Sequence, residues 1–274
     1  MYRIIGFLLV VTFLMAACQN GEHSSPNATT EEQSVPKTAP SSNATAPVAT
    51  GKKYTLTPVN SEVVYPDAKL EYGYFSDGQF GFNVQNYNLG IQTSDATNLM
   101  CANSAQGQHI HLIFDDEPYS AHYTNVFPFN KEDGRYYMMA FLGKSYHESI
   151  KSPDAFVARR VSIRNNSIFA RSDIRDPVLF YSRPKGTYVG KDTEKVMLDF
   201  YLLNCDLEGQ AYKVLAEING EQHLISKWQS YYIEGLPMGE NTIKLTLVFN
   251  SGEVVPTKLN PVTRTITLQA DPAG

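Results

Sequence analysis

The stretch HIHLIFDDEPY, residues 109–119, decides the fold class of this chain. Its apolar residues alternate with other side chains and then give way to Asp115-Asp116, the pattern of a β-strand that runs into a turn. A second stretch, YKVLAEINGEQ at 212–222, alternates in the same way and carries its turn residues at Asn219-Gly220. We expect both stretches to be strands with one buried face.

Three further pairs of segments match in the same order along the chain. They are 80–90 with 196–206, 132–142 with 237–248, and 156–163 with 262–268. Four matched pairs in order indicate a tandem duplication. Short runs rich in Tyr, Phe, Val and Ile recur between turn residues, without a convincing amphipathic helix. The sequence therefore predicts an all-β protein made of two tandem immunoglobulin-like (fibronectin type III-like) β-sandwich domains.

The first residues, MYRIIGFLLVVTFLMAAC, predict a lipoprotein signal peptide at 1–17. The apolar run is too short to remain as a membrane-spanning helix. Residues 15–18, Met-Ala-Ala-Cys, resemble the lipobox of bacterial lipoproteins, so Cys18 is the predicted lipidation site and anchors the chain in a membrane. A plain secretory cleavage is the alternative. An Asp directly after the lipidated Cys would resemble an inner-membrane retention signal. Gln19 stands at that position instead, which favours the outer membrane.

The remaining chain divides by composition. Residues 18–51 hold the lipidated Cys and a tether rich in Ser, Thr, Pro and Ala, which we expect to be disordered. Residues 52–166 and 167–274 are the predicted first and second sandwiches. The net charge of −5 argues against nucleic acid as a partner. The sequence leaves open whether Cys101 and Cys205 form a disulfide.

Four of the six histidines lie between residues 109 and 147. Residues two apart in a strand point to the same face, so His109 and His111 share one face of their strand. The apolar residues Ile110, Leu112 and Phe114 share the other face and should point into the core. We therefore expect the two imidazoles to lie side by side on an outward face.

A metal site is one interpretation of this cluster, in which His122 and His147 join the first two histidines. Met100 or Cys101 could add a sulfur ligand. Imidazole with sulfur suits copper, and imidazole with a carboxylate such as Glu148 suits zinc. The alternative is a row of half-exposed histidines that hydrogen-bond to their neighbours. No GxSxG, HExxH or phosphate-binding glycine loop is present, so the sequence predicts a protein that is not an enzyme.

Basic residues concentrate between 159 and 191, where the first sandwich should give way to the second. Guanidinium groups bind carboxylate or phosphate in a bidentate manner, and clefts between domains are common ligand sites. The sequence therefore predicts an anionic-ligand site. The alternative is that these residues form ion pairs with Asp173, Asp176 and Asp192. The candidate ligands are Arg159, Arg164, Arg175, Arg183, Lys185 and Lys191.

Four stretches carry a resemblance to a known family: MCANSAQGQHIHLIFDDEPY, SYHESIK, FYSRPKGTYVGKDTEKVMLDFY and YYIEGLPMGENTIKLTL. They resemble a family of bacterial envelope lipoproteins that is often labelled phosphopeptide-binding protein. The resemblance implies a lipid-anchored protein of the cell envelope that binds an acidic or phosphorylated peptide. Copper or zinc binding through the histidines and a role as an adhesive or scaffold module are the alternative functions.

Overall fold

The computed structural model describes residues 52–209 and 211–272 of the chain. The predicted signal peptide, Cys18 and the predicted tether lie outside these residues. The described part is built from strands joined by turns, with two short 3₁₀ segments at Ala96–Asn98 and Gly190–Thr193. Among the described residues, no helix has the length and apolar character needed to cross a membrane.

The first sandwich consists of two sheets that face each other. One has three strands in the order β2-β3-β6, and the other has five strands in the order β5-β4-β7-β8-β9. Three strands of the five-stranded sheet, β4, β7 and β8, overlap the segments 109–119, 132–142 and 156–163, where the sequence predicted strands, and β4 carries His109 and His111. The strands are β2 (Lys69–Ser76), β3 (Gln79–Gln85), β4 (His109–Phe114), β5 (Ser120–His122), β6 (Val126–Pro128), β7 (Gly134–Gly143), β8 (Phe156–Arg164) and β9 (Ser167–Ser172).

The second sandwich also consists of two sheets that face each other. One has four strands in the order β1-β15-β12-β10, and the other has five strands in the order β11-β17-β16-β13-β14. The strands are β1 (Thr55–Pro58), β10 (Val178–Arg183), β11 (Gly186–Val189), β12 (Val196–Leu203), β13 (Tyr212–Ile218), β14 (Glu221–Ile225), β15 (Tyr231–Glu234), β16 (Gly239–Phe249) and β17 (Val262–Gln269). The chain is thus all-β, with two tandem sandwiches of the immunoglobulin-like and fibronectin type III-like class.

Two strands lie on the other side of the domain boundary from where the sequence placed them. Strand β1 falls in the predicted first domain, 52–166, but pairs antiparallel with β15 of the second sandwich. Strand β9 begins at Ser167, the predicted start of the second domain, but pairs with β8 of the first sandwich. The boundary therefore needs correction, because matched segments reveal repeats but not a terminal strand that joins the other repeat.

The two sandwiches share local features that a duplication predicts. Strands β4, β7 and β8 are neighbours in one sheet, and β13, β16 and β17 are neighbours in the same order in the other. Asp115 after β4 has φ 52° and accepts a hydrogen bond at Oδ1 from the backbone N–H of Tyr137 at 2.8 Å. Asn219 after β13 has φ 47° and accepts the matching bond from Thr242 at 2.8 Å. The same turn therefore ends the equivalent strand in both repeats.

Each sandwich has its own core, and a third apolar cluster joins the two. Ile110, Leu112 and Phe114 of β4 lie in the core of the first sandwich, as the alternation predicted. Ile113 points the other way and packs with residues of both sandwiches, Phe141 and Tyr201 among them. The second sandwich thus covers the face of the five-stranded sheet that carries the odd-numbered residues of β4.

Candidate metal site between the two sandwiches

The side chains of His109 and His111 lie on the covered face of β4. Both are completely buried, with 0% exposure. Our expectation of an outward, solvent-facing pair was therefore wrong, although the two imidazoles do share one face. The physical reason is the second sandwich, whose strand β10 places Ser182 against His111. Periodicity within one strand defines its two faces but not what covers each face.

His147 reaches the same point from the turn that follows β7. Its backbone N–H donates to the carbonyl of Lys144 at 2.8 Å, closing a tight turn. Its φ is 71°, a left-handed conformation that a residue with a side chain adopts only at a free-energy cost. The turn directs the ring onto His109, with ring centroids 4.8 Å apart. A strained backbone that presents an imidazole to two others is typical of a functional site.

The three imidazoles bring one nitrogen each to a common point. The Nε2 atoms of His109 and His111 lie 2.7 Å apart, and Nδ1 of His147 lies 3.0 Å from Nε2 of His109. All three nitrogens fall within 4.8 Å of one another. Ligands of a tetrahedral ion with bonds of about 2.0–2.1 Å are roughly 3.3 Å apart, so small ring movements would admit an ion.

The remaining ring nitrogens of His109 and His111 are held by the backbone and by a hydroxyl. Nδ1 of His109 donates to the carbonyl oxygen of Gly107 at 2.7 Å, which leaves Nε2 with its lone pair. Nδ1 of His111 lies 3.3 Å from Oγ of Ser182. Such outer partners orient the rings of metal-binding histidines and fix their tautomers.

All three histidines are held in the neutral form. Burial, with a smaller contribution from the charges of Arg183 and Lys185, lowers the pKa of His109 to about 4 against the opposing effect of the hydrogen bond to Gly107. Burial also brings the pKa of His111 and of His147 well below the ordinary value, helped by the same two cations and by the other imidazoles. Neutral imidazoles have the free lone pairs that metal ions require.

His122 does not join the site. In the register of β4 and β5 it lies opposite Ile110, on the core side of the sheet. Its ring stacks on Phe127 at a centroid distance of 3.5 Å, and its Nε2 lies 2.8 Å from Oγ of Ser120. The prediction that all four histidines converge is wrong for this one, because it points to the opposite face.

The predicted sulfur ligands also lie elsewhere. The side chain of Met100 is 53% exposed at the surface. Cys101 is buried in a separate cluster, where its sulfur accepts a hydrogen bond from Oη of Tyr232 at 3.9 Å. Both Cys101 and Cys205 are free thiols. Glu148 forms an ion pair with Lys144 at 2.9 Å, so the sequence-predicted sulfur and carboxylate ligands do not complete the histidine site.

Sequence reasoning did not identify Tyr119 as part of the site. Its ring stacks on His111 with a centroid distance of 3.7 Å and an interplanar angle of 8°. Its Oη lies 3.3 Å from Nδ1 of His147 and accepts a hydrogen bond from Nη1 of Arg183 at 3.0 Å. Nζ of Lys185 lies 3.7 Å from the centroid of the tyrosine ring. Tyr119 immediately precedes β5, and only the pairing of β5 with β4 brings it to the imidazoles.

The six predicted anion ligands do not converge. Arg159 and Arg164 lie on β8 of the first sandwich, where Arg159 pairs with Asp173 at 3.6 Å and Arg164 lies over the ring of Phe169. Arg175 and Lys191 are exposed, on the linker between the sandwiches and in the 3₁₀ segment after β11. Of the six, only Arg183 and Lys185 come together, beside the histidines. The predicted set therefore needs correction, because strand and linker residues close in sequence separate in space.

Arg183 is unusual for a buried cation. The residue is only 6% exposed, and its Nε has no hydrogen-bond partner among the described residues. No carboxylate of the described chain forms an ion pair with Arg183 or Lys185. Burial and the charge of Arg183 lower the pKa of Lys185 to about 8. Among the described residues, the histidines therefore lie in buried surroundings with excess positive charge.

A separate groove carries basic side chains on the face of β7, β8 and β9. Its volume is about 440 Å³, and it opens to solvent. Two of its cations are already paired, Arg160 with Asp176 and Lys258 with Asp115. The other basic residues that line it are Arg135 and Arg171, and its aromatic residues are Tyr136 and Tyr137. None of the six predicted anion ligands lines this groove.

Comparison with known proteins adds fold-level likenesses only. No protein-family model and no curated protein matches the chain. Fibronectin(III)-like modules of CbhA from Clostridium thermocellum are 14% identical, with 79% of this chain and 94% of that chain covered and a TM-score of 0.27. Two tandem V-type regions of a v-region-containing chitin binding protein are 10% identical, with coverages of 79% and 99% and a TM-score of 0.20.

A third solved structure is the extracellular domain of a putative hybrid two-component system from B. thetaiotaomicron. It is 10% identical, with a TM-score of 0.28, and the match covers 77% of this chain and 39% of that one. Identities and TM-scores this low carry no argument about function, which must come from the site itself.

Proposed function

We propose that the protein is a non-catalytic, lipid-anchored protein of the cell envelope that binds one copper or zinc ion between its two sandwiches. His109, His111 and His147 are the proposed ligands. The observation that carries the proposal is the convergence of their three nitrogens within 4.8 Å of one another. The anchor is Cys18, which lies outside the described residues.

The chemistry of the donor set supports this assignment. Three neutral imidazoles suit zinc and copper, whereas calcium and magnesium require oxygen ligands. Two of the rings are oriented by outer partners, as is usual for metal-binding histidines. Among the described residues, none of the three rings contacts a carboxylate that would explain the cluster as ion pairing.

The surroundings of the triad bear on which ion is favoured. Arg183 and Lys185 place two cations beside it, and like charges repel strongly where water is excluded. A singly charged copper ion meets less repulsion than a doubly charged ion. A doubly charged ion becomes favourable if an anionic ligand enters the site with it.

Metal analysis tests the proposed function. Protein carrying a tag without histidine is stripped with a chelator, incubated with copper or zinc and desalted before elemental analysis. We expect one ion per chain in the unsubstituted protein and a large loss in His111→Gln. His122→Gln is the matched control, since it changes a histidine of the same sheet on the opposite face, and should retain the ion. No stoichiometric metal, or equal loss in both variants, would contradict the proposal.

An anionic ligand, such as an acidic or phosphorylated peptide, is the second candidate function. The observation that favours it is the open groove lined by Arg135, Arg160, Arg171 and Lys258. Fluorescence titration with an acidic peptide and its phosphorylated form tests this candidate. Binding should weaken in Arg135→Glu, and more at low salt than at high salt. Equal binding by the variant would exclude the groove as the site.

A further inference from the structure

The triad offers an ion three neutral nitrogen ligands and no charged ligand. Among the described residues, the group of His, Cys, Asp and Glu side chains with ligand atoms close enough to share an ion here is His109, His111 and His147 alone. Zn²⁺ held by three protein ligands takes a fourth ligand such as water, and Cu²⁺ prefers square-planar or tetragonal surroundings of nitrogen and oxygen. Cu⁺ is stable with three ligands, so the donor set fits this ion best.

Aromatic rings limit what else can reach an ion on His111. The ring of Tyr119 stacks on the imidazole with a centroid distance of 3.7 Å and an interplanar angle of 8°. Its hydroxyl therefore lies in a plane parallel to the one in which an ion on Nε2 would bind, and outside bonding distance of it. The ring of Phe141 lies 5.0 Å from the same imidazole, and His109 and His111 are completely buried. The neighbouring rings thus supply no fourth ligand and shield the site from bulk water.

Two cations lie close to the triad. Nη1 of Arg183 donates to Oη of Tyr119 at 3.0 Å, and this oxygen lies 3.3 Å from Nδ1 of His147. The guanidinium is therefore separated from that ligand atom by no more than the sum of the two distances. Nζ of Lys185 lies 3.7 Å from the centroid of the Tyr119 ring that stacks on His111. In buried surroundings, water screens such charges only weakly.

The repulsion between these cations and a bound ion depends on the charge of the ion. By Coulomb's law, a doubly charged ion meets twice the repulsive energy that a singly charged ion meets at the same position. Because the binding free energy is proportional to the logarithm of the affinity, the factor by which the cations weaken Zn²⁺ or Cu²⁺ binding is the square of the factor for Cu⁺. Charge and coordination number therefore favour the same ion.

We propose that the site between the sandwiches is selective for Cu⁺, which three imidazoles bind without a fourth ligand, and that Arg183 and Lys185 disfavour doubly charged ions. The inference rests on the proposed function and names the ion that the triad binds. Each imidazole remains neutral when Cu⁺ binds, and no electron is transferred. The two cations act through their charge and do not touch the ion.

Affinities of the unsubstituted protein test the selectivity. Protein carrying a tag without histidine is titrated without oxygen, with Cu⁺ against bicinchoninate and with Zn²⁺ against a chromophoric zinc chelator, in one buffer whose anions coordinate metals weakly. We expect one Cu⁺ per chain, bound at least about a hundredfold more tightly than Zn²⁺. Zn²⁺ binding as tight as that of Cu⁺, or tighter, would overturn the selectivity and leave the triad as a metal site.

Lys185→Gln separates the effect of charge from that of the ligands. Lys185 is only partly buried, and glutamine retains a hydrogen-bond donor there. Loss of one positive charge should tighten Cu⁺ binding by about tenfold and Zn²⁺ binding by about a hundredfold. Lys191→Gln is the matched control, since it removes the charge of an exposed lysine in the 3₁₀ segment after β11, and should leave both affinities unchanged. Equal effects of Lys185→Gln on the two ions, or none, would overturn the role of the cations.

Failure of the triad itself gives a different result. If the unsubstituted protein binds neither Cu⁺ nor Zn²⁺ stoichiometrically, or if His109→Gln binds both unchanged, the proposed function and the selectivity both fall. X-ray absorption at the copper edge of the protein loaded with Cu⁺ adds a measurement that needs no variant. We expect three nitrogen ligands with the scattering pattern of imidazole. A fourth ligand, or a sulfur ligand, would overturn the three-coordinate site even if Lys185→Gln failed to fold.

Discussion

The Nε2 atoms of His109 and His111 lie 2.7 Å apart in the buried space between the sandwiches. Because Nδ1 of His109 donates to Gly107, the proton between the two Nε2 atoms belongs to His111. An ion can bind His111 at Nε2 only if that proton moves to Nδ1. Oγ of Ser182, 3.3 Å from Nδ1, can then accept it in a hydrogen bond.

This relationship predicts that Ser182→Ala weakens metal binding although Ser182 is not a ligand. Loss of an outer partner typically costs about 10- to 100-fold in affinity. Competition titration with a chromophoric chelator measures the change. Ser120→Ala is the control, because Ser120 bonds to His122 outside the site, and should bind normally. Equal affinities for all three proteins would contradict the tautomer change.

The stability of the metal-free protein should fall in mildly acidic solution. Burial lowers the pKa of His122 to about 4 from the ordinary value of 6.5, as it does for His109. The unfolded chain therefore binds more protons than the folded chain between about pH 6.5 and pH 4. The free energy of unfolding decreases across this window as the pH falls, and the effect is absent above it.

Urea unfolding at pH 7.5 and at pH 4.5, in the presence of a chelator, measures this dependence. His122→Asn should show a smaller decrease between the two pH values, since one of the titrating groups is gone. An unfolding free energy that stays constant or rises as the pH falls through the window would be the contrary result.

The contact between the sandwiches should contribute strongly to stability. Phe141 is completely buried, and its ring centroid lies 5.2 Å from that of Tyr201 and 5.0 Å from that of His111. Phe141→Ala should cost about 3–5 kcal/mol, the usual range for a buried phenylalanine. Urea unfolding measures the loss. Phe169→Ala, at a residue 60% exposed, should change the free energy by no more than about 0.5 kcal/mol.

The turn shared by the two repeats predicts which substitutions Asp115 tolerates. Asn219 makes the same bond with the same left-handed backbone, so Asp115→Asn should be nearly neutral. It loses only the partly exposed ion pair with Lys258, worth about 0–1 kcal/mol. Asp115→Ala loses the hydrogen bond and places alanine in the left-handed region, at a cost of about 2–3 kcal/mol. Thermal unfolding that ranks the two variants in the opposite order would contradict this account.

The fold class and half of the site followed from local patterns. Alternation along β4 placed Ile110, Leu112 and Phe114 in the core and put His109 and His111 together on the other face. Whether that face is exposed or buried depends on contacts with β10, which lies far along the chain. The alternation of residues within β4 does not predict such contacts. The same limit explains why the imidazoles were expected to face solvent.

The other differences have similar causes. Spacing could not place His122, because strand pairing sets it opposite Ile110 on the core side. The arginines near the domain junction cluster in sequence, yet strand β8 holds Arg159 in the first sandwich while β10 holds Arg183 in the second. Tyr119 carried no motif, and only its stacking on an imidazole in three dimensions marks it.

Anomalous X-ray diffraction from crystals of the protein loaded with copper or zinc tests the central claim most directly. The account predicts one strong peak per chain, about 2.0–2.1 Å from Nε2 of His109, Nε2 of His111 and Nδ1 of His147. No peak there after loading, or a peak on surface residues alone, would contradict a metal site between the sandwiches.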